Sequence, residues 1–110
     1  MDIEATKKNG TNLVQVIGRM DAVSAPAFEE QITGMLQEGD KHFVIDFSQL
    51  EYISSAGLRS ILASAKKIKA SQGAFVLADL RDTVKEVFEI SGFKAIIPIY
   101  DTVDAALSDM

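Results

Sequence analysis

Residues Phe43-Val44-Ile45-Asp46-Phe47 constrain this chain more than any other stretch. The run is almost continuously apolar, with no alternation of polar and apolar positions, so a strand built from it has no face suited to water. Such a strand needs cover on both sides, as a central strand between two layers has. The residues that follow can supply a layer. Leu58, Ile61, Leu62, Ala65 and Ile68 fall on one stripe of a helix, and Arg59, Lys66, Lys67 and Lys69 fall on its other face. Gly73 ends that helix, and Ala74-Phe75-Val76-Leu77-Ala78 repeats the buried-strand pattern.

The flanking segments extend the same alternation. Ile3 to Lys7 alternates weakly as a first strand, and Asn9-Gly10 is a two-residue hairpin signal. A second strand covers Asn12 to Ile17 and ends at Gly18. Ser24 is placed to cap a helix, with Pro26 tolerated in its first turn. Phe28, Ile32, Met35 and Leu36 form the helix's apolar stripe, and Gly39 stops it. Val84, Val87 and Phe88 mark a third helix closed by Gly92, and Ala95 to Ile99 reads as a last strand. Pro98 has no N–H for a ladder, which places that strand at an edge. Asp101 is expected to cap a short final helix around Val103, Ala106 and Leu107. The prediction is one α/β domain over residues 1–110, a mixed sheet of about four to five strands packed with about four α-helices.

Composition narrows what such a domain can do. With 47% hydrophobic residues in 110, the chain can bury a core without staples, and it has no cysteine for a disulfide or a thiolate metal site. No metal or cofactor is expected. No apolar run approaches the roughly 20 residues that span a bilayer, and Met1 to Lys8 lacks the pattern of a signal peptide, so the cytoplasm is the default location. A net charge of −5 disfavours nucleic acid and anionic membrane as partners. A single histidine, His42, leaves little for acid–base chemistry near neutral pH.

The chemistry-bearing junction is Ile53-Ser54-Ser55-Ala56-Gly57-Leu58, where a strand hands over to the clearest helix. A serine nucleophile needs a base in hydrogen-bond reach, and the G-x-S-x-G elbow is absent. His42 lies before the central strand and the serines after it, so the strand separates them. A phosphate loop needs several glycines and a lysine, whereas Gly57 stands alone and marks close backbone approach in a first helical turn. One serine is explained as the helix cap, which stabilises by about 1 kcal/mol. One cap needs one serine, and the second is left over. A phosphate on it would meet free N–H groups and the positive end of the helix dipole while adding about −1.5 to −2 charges to the surface.

Val44 to Leu58, read as apolar strand, Asp-Phe-Ser, short link and Ser-Ser-Ala-Gly-Leu, resembles the signature of STAS domains, in particular bacterial anti-sigma factor antagonists. Gly18-Arg19-Met20-Asp21 is similar to the family's Gly-x-Leu-Asp segment, and Val84 to Phe93 resembles its third helix and turn. The resemblance implies a binding protein without enzymatic activity, phosphorylated on Ser55, with Ser54 as the alternative. It implies as partners an anti-sigma factor serine kinase, bound by the unphosphorylated form so that the sigma factor is released, and a PP2C-type phosphatase. It also implies a docking surface comprising Asp21, Ser54, Ser55, Ala56, Gly57 and Leu58. Many members carry Asp where this chain has Ser54, a departure that bears on which serine is used.

Two rival readings use the same residues: an unphosphorylated binding subunit of a transporter or larger signalling assembly and, against the missing elbow and base, a small serine hydrolase. Beneath them lies a constitutive module whose serines only cap. Asp21 is locally a turn residue, Asp46 a strand-end carboxylate bonded to nearby backbone N–H groups, and Ser48 a turn residue. Lys66-Lys67-x-Lys69 is a basic spot on an acidic protein, read as a solvated helix face. Met20 and Met35 are read as core or rim filler.

Overall fold

In the computed structural model, which describes residues 1–110, Asn9 and Gly10 take φ angles of 52° and 81°, the left-handed pair a tight hairpin turn requires. They join β1 (Asp2–Lys8) to β2 (Thr11–Met20) as antiparallel neighbours, in register from Lys8–Thr11 to Asp2–Ile17. The chain continues through α1 (Ala25–Gln37), β3 (His42–Asp46), β4 (Leu50–Ile53), α2 (Ser55–Ala70), β5 (Ala74–Ala78) and α3 (Asp82–Ser91). A 3₁₀ turn at Phe93–Ala95, β6 (Ile99–Tyr100) and α4 (Val103–Ser108) complete it. The sheet is mixed. Its order is β1-β2-β3-β5-β6, with β4 pairing separately and in parallel with β2.

The apolar run of β3 is covered on both faces, for the reason its sequence suggests. Phe43, Ile45 and Phe47 alternate into the large core with Phe28 and Ile32 of α1, Ile61 and Ile68 of α2, and Val84 and Phe88 of α3. Val44 points the other way, into a small cluster with Val76, Ala78 and Ala106 of α4. Four phenylalanines, Phe28, Phe43, Phe47 and Phe88, are fully buried, each contributing about 1.5–3 kcal/mol of transfer free energy. Gly39 takes φ +102° just after α1, and Gly92 closes α3 at φ +78° in the left-handed conformation.

Six strands form where about four to five were expected, and several boundaries move. β2 does not end at Gly18. Glycine's positive φ of 100° permits a bulge there, and the strand runs on to Met20. β4 looks like a link in sequence, because only its ends, Leu50 and Ile53, are buried and its middle, Glu51-Tyr52, is exposed. The strand expected at Ala95–Ile99 shrinks to Ile99–Tyr100. The chain leaving Gly92 coils, with the Phe93 carbonyl accepting from both Ile96 N–H and Ile97 N–H at 2.9 Å. Pro98 still serves the edge with what it keeps, its carbonyl, which accepts from Leu77 N–H at 3.0 Å. Thr102, not Asp101, caps α4, its Oγ1 accepting from Ala105 N–H at 3.0 Å. Ser24 precedes α1 but makes no side-chain cap bond.

Candidate functional site

The bulge at Gly18 builds the site. Before it, β2 pairs with β3 over Asn12–Gln15; after it, Arg19 and Met20 pair with Tyr52 and Ile53 of β4. The end of β2 is thereby laid beside the entry to α2. Ser54 N–H donates to the Met20 carbonyl at 2.9 Å, fastening the helix start to the strand end. Asp21, the next residue along, lies at the same place in the fold.

The two serines have different environments. Ser54 is the cap: extended, half-buried, its Oγ accepting from Gly57 N–H at 3.1 Å and its carbonyl from Leu58 N–H at 2.9 Å. Ser55 is the first residue of α2, exposed, and its hydroxyl makes no hydrogen bond within the chain. The first-turn N–H groups of Ser55 and Ala56 have no intrahelical partner. Gly57 is there for space. A Cβ on it would lie 2.7 Å from Ile53 Cγ1 and 3.0 Å from both Met20 Cγ and the Met20 carbonyl. Leu58 is half-buried against the large core, so it anchors the helix start.

Asp21 is occupied locally. Its Oδ1 accepts from Val23 N–H and Ser24 N–H at 3.0 Å each and from Ser24 Oγ at 3.2 Å, while Ser24 Oγ also accepts from Asp21 N–H at 2.9 Å. The Ser24 N–H bond is the largest cause holding the Asp21 carboxyl below its ordinary pKa; the Ser24 hydroxyl and Val23 N–H add to it against partial desolvation. The tight loop that results pushes Val23 out, 90% exposed. Sequence reasoning missed Val23, and also Arg19 and Tyr52. Arg19 lies over the Tyr52 ring at 4.3 Å from its centroid, on the paired ends of β2 and β4 that lead into the serine junction. A lone apolar residue inside a polar turn was the available signal for Val23. The Arg19–Tyr52 pair is invisible until the bulge sets its register.

Asp46, almost buried, accepts from Ser48 N–H at 2.9 Å, as expected of a strand-end carboxylate. His42 starts β3, beside Asn12 at the beginning of β2, whereas Ser54 follows Ile53 at the far end of that strand. Eight strand residues at ~3.3 Å each place them on the order of 25 Å apart, so no serine–histidine pair forms. Lys66, Lys67 and Lys69 belong to the opposite end of α2. No helix is long and apolar enough to cross a membrane.

Comparison with known proteins identifies the family and the fold. The STAS domain profile matches residues 2–106. A Bordetella bronchiseptica protein named as an anti-sigma factor antagonist, BtrV, is 37% identical over 106 residues, 96% of this chain and 91% of its own. The anti-sigma-B factor antagonist of Staphylococcus aureus is 25% identical over 90% of this chain and 92% of its own. Among solved structures, an anti-sigma factor antagonist of Thermotoga maritima superimposes with a TM-score of 0.93 at 22% identity, covering 97% of this chain and 92% of that one. The phosphorylated form of the Bacillus cell fate determinant SpoIIAA superimposes at 0.77 with 18% identity, covering 98% of each chain. The STAS anti-sigma factor antagonist family is non-enzymatic. The chain belongs to the STAS domain family, among its anti-sigma factor antagonists.

Proposed function

We propose that this protein is a phosphorylation-controlled antagonist. Its unphosphorylated form binds an anti-sigma factor and so frees the sigma factor. The anti-sigma factor is itself a serine kinase and switches the antagonist off by phosphorylating Ser55. A PP2C-type phosphatase restores it. The observation that carries this reading is the division between the serines: Ser54 is consumed by the cap, and Ser55 stands exposed with a free hydroxyl on the same turn.

The physics of the switch follows from that position. A phosphate on Ser55 can be received by the free N–H groups of the first turn without rearranging the fold. It nevertheless adds about −1.5 to −2 charges to a surface whose apolar contacts are Val23 and Tyr52. Docking a partner there would require that charge to be desolvated or opposed. Every 1.4 kcal/mol of such cost is about tenfold in affinity. SpoIIAA, which shares the fold at low identity, is known in unphosphorylated and phosphorylated forms, which supports a fold able to bear both states.

The test is to isolate the protein from growing and stressed native cells and map phosphate by intact mass and peptide fragmentation. Phosphate on Ser55 that varies with condition is the expected result. Phosphate on Ser54 would keep the switch and move its site. A chain unphosphorylated in every condition would leave a constitutive binding module.

A further inference from the structure

The far end of α2 carries a second feature, independent of the serines. A cavity of about 230 Å³ opens between the C-terminal half of α2, the start of β5 and the coiled segment before β6. Ala65, Phe75, Val76, Ile96 and Pro98 make it apolar, and its only charged lining residues are Lys66 and Lys69. Neither lysine is paired with a carboxylate; the chain's ion pairs are Lys7–Asp40 and Lys85–Asp101, and Lys67 bonds Thr33. On a protein of net charge −5, two unneutralised ammonium groups on one apolar opening form a local reversal of sign.

The sheet adds a third polar element. Leu77 N–H donates to Pro98 and Asp79 N–H to Tyr100, so alternate residues of β5 turn their backbone groups toward β6. Phe75, two residues before Leu77, turns the same way, but β6 begins only at Ile99, opposite Leu77. The Phe75 N–H therefore lies beyond the end of that ladder, on the side where the cavity opens. Apolar walls, two cations and a spare backbone donor converge on one chemistry.

We propose that this cavity binds a small amphipathic carboxylate, an anion whose apolar body is the size of a short alkyl chain or a single ring. The apolar body lies against Phe75, Ile96 and Pro98, and the carboxylate faces Lys66 and Lys69. The volume decides the size, since larger drug-like ligands occupy about 300–1,000 Å³ while a single benzene fits an engineered cavity of about 150 Å³. The site lies 14 residues along α2 from Ser55, about 21 Å at ~1.5 Å per residue, so it is separate from the candidate docking surface.

The full chain is titrated with hexanoate, followed by amide NMR shifts, with hexan-1-ol as the neutral control and K66M/K69M and Ala65→Leu as variants. The expected result is saturable shifts centred on Ala65, Phe75 and Val76, with a dissociation constant of about 1 mM or tighter. Hexan-1-ol and the double lysine variant should each bind at least about tenfold more weakly, and Ala65→Leu, which fills the cavity, should abolish binding. Thermal melts confirm that the variants are folded, and retained native spectra in K66M/K69M alone suffice for the comparison. Absence of saturable shifts at these amides, equal binding of acid and alcohol, or binding unchanged in the folded lysine variant would each overturn the proposal.

Discussion

The two ends of α2 are held by the same device and expose opposite chemistries. At the start, Gly57 lets the helix sit against Met20 and Ile53. Just past the end, Gly73 lets the chain pass beneath Lys41, whose carbonyl oxygen a Cβ would overlap, with Ile68 Cγ2 only 2.8 Å away. Around the first glycine the surface offers a free hydroxyl, Val23 and the Arg19–Tyr52 pair. Around the second it offers Lys66, Lys69 and an apolar cavity. The difference teaches that the residues fixing a helix end need not be the ones it exposes. Glycine fixes where the helix ends lie, and neighbouring residues that tolerate exposure decide what they contact.

The largest effect should come from filling the tighter end. Gly73→Ala should cost about 3 kcal/mol or more, because the obstacle includes backbone that cannot swing aside. Gly57→Ala meets Ile53 Cγ1 first, at 2.7 Å, with Met20 Cγ and the Met20 carbonyl at 3.0 Å, a looser fit than at Gly73, and gains about 1 kcal/mol of helix propensity, so a net loss of about 1–2 kcal/mol is expected. Urea denaturation of both variants measures the contrast. Equal losses would show that the two glycines are not distinguished by what stands over them.

Next in size is Ser55→Asp, which places a negative charge where the phosphate is proposed. Binding to an anti-sigma factor, measured by calorimetry, should weaken by about 10- to 100-fold while the unfolding free energy stays within about 0.5 kcal/mol. The same change should leave hexanoate binding at the other end untouched. A stability loss matching the affinity loss would mean that Ser55 supports the fold rather than the interface.

Ser54→Ala and Ser55→Ala divide the serine end more finely. Loss of the Ser54 cap should cost about 1 kcal/mol; loss of the unbonded Ser55 hydroxyl should cost less than about 0.5 kcal/mol. Equal costs would remove the distinction on which the choice of Ser55 rests.

Much of this could be read in advance, and the failures share a cause. Continuous apolar runs at β3 and β5 and the stripes of α1, α2 and α3 announced a sheet covered on both faces, and Asn9-Gly10 announced the hairpin. The serine junction and Asp21 could be singled out because few residue types suit a helix start or a tight loop. Tertiary geometry hid the rest. β4 is four residues long with its middle exposed, and exists only because β2 bends at Gly18 to meet it. Ala95 to Ile97 looks like a strand in composition, but the chain leaving left-handed Gly92 coils instead. Arg19, Tyr52 and Val23 are consequences of that bend and of the loop at Asp21, so they carry no pattern of their own.

The smallest contrast concerns acid. Asp21 at the serine end and Asp40, beside Lys41 at the other, both have carboxyls held below the ordinary pKa. For Asp21 the leading cause is hydrogen bonding by Ser24; for Asp40 it is the Lys7 ammonium, 2.7 Å away. A carboxylate with a lowered folded-state pKa stabilises fully above its unfolded value, near pH 4, and loses that contribution as pH falls through the folded value. Asp21→Asn and Asp40→Asn should therefore each flatten the fall in stability below about pH 4 while changing its slope little near neutrality. Salt should separate them. The Lys7–Asp40 pair is screened as the Debye length falls from ~10 Å at 0.1 M to ~3 Å at 1 M, whereas bonds from a backbone N–H and a hydroxyl are not. Acid titrations of unfolding at the two salt concentrations should show the Asp40→Asn effect shrinking in 1 M salt and the Asp21→Asn effect persisting. If both shrink together, the Asp21 turn is held by charge, with Arg19 as its source, and the serine end is more electrostatic than its hydrogen bonds indicate.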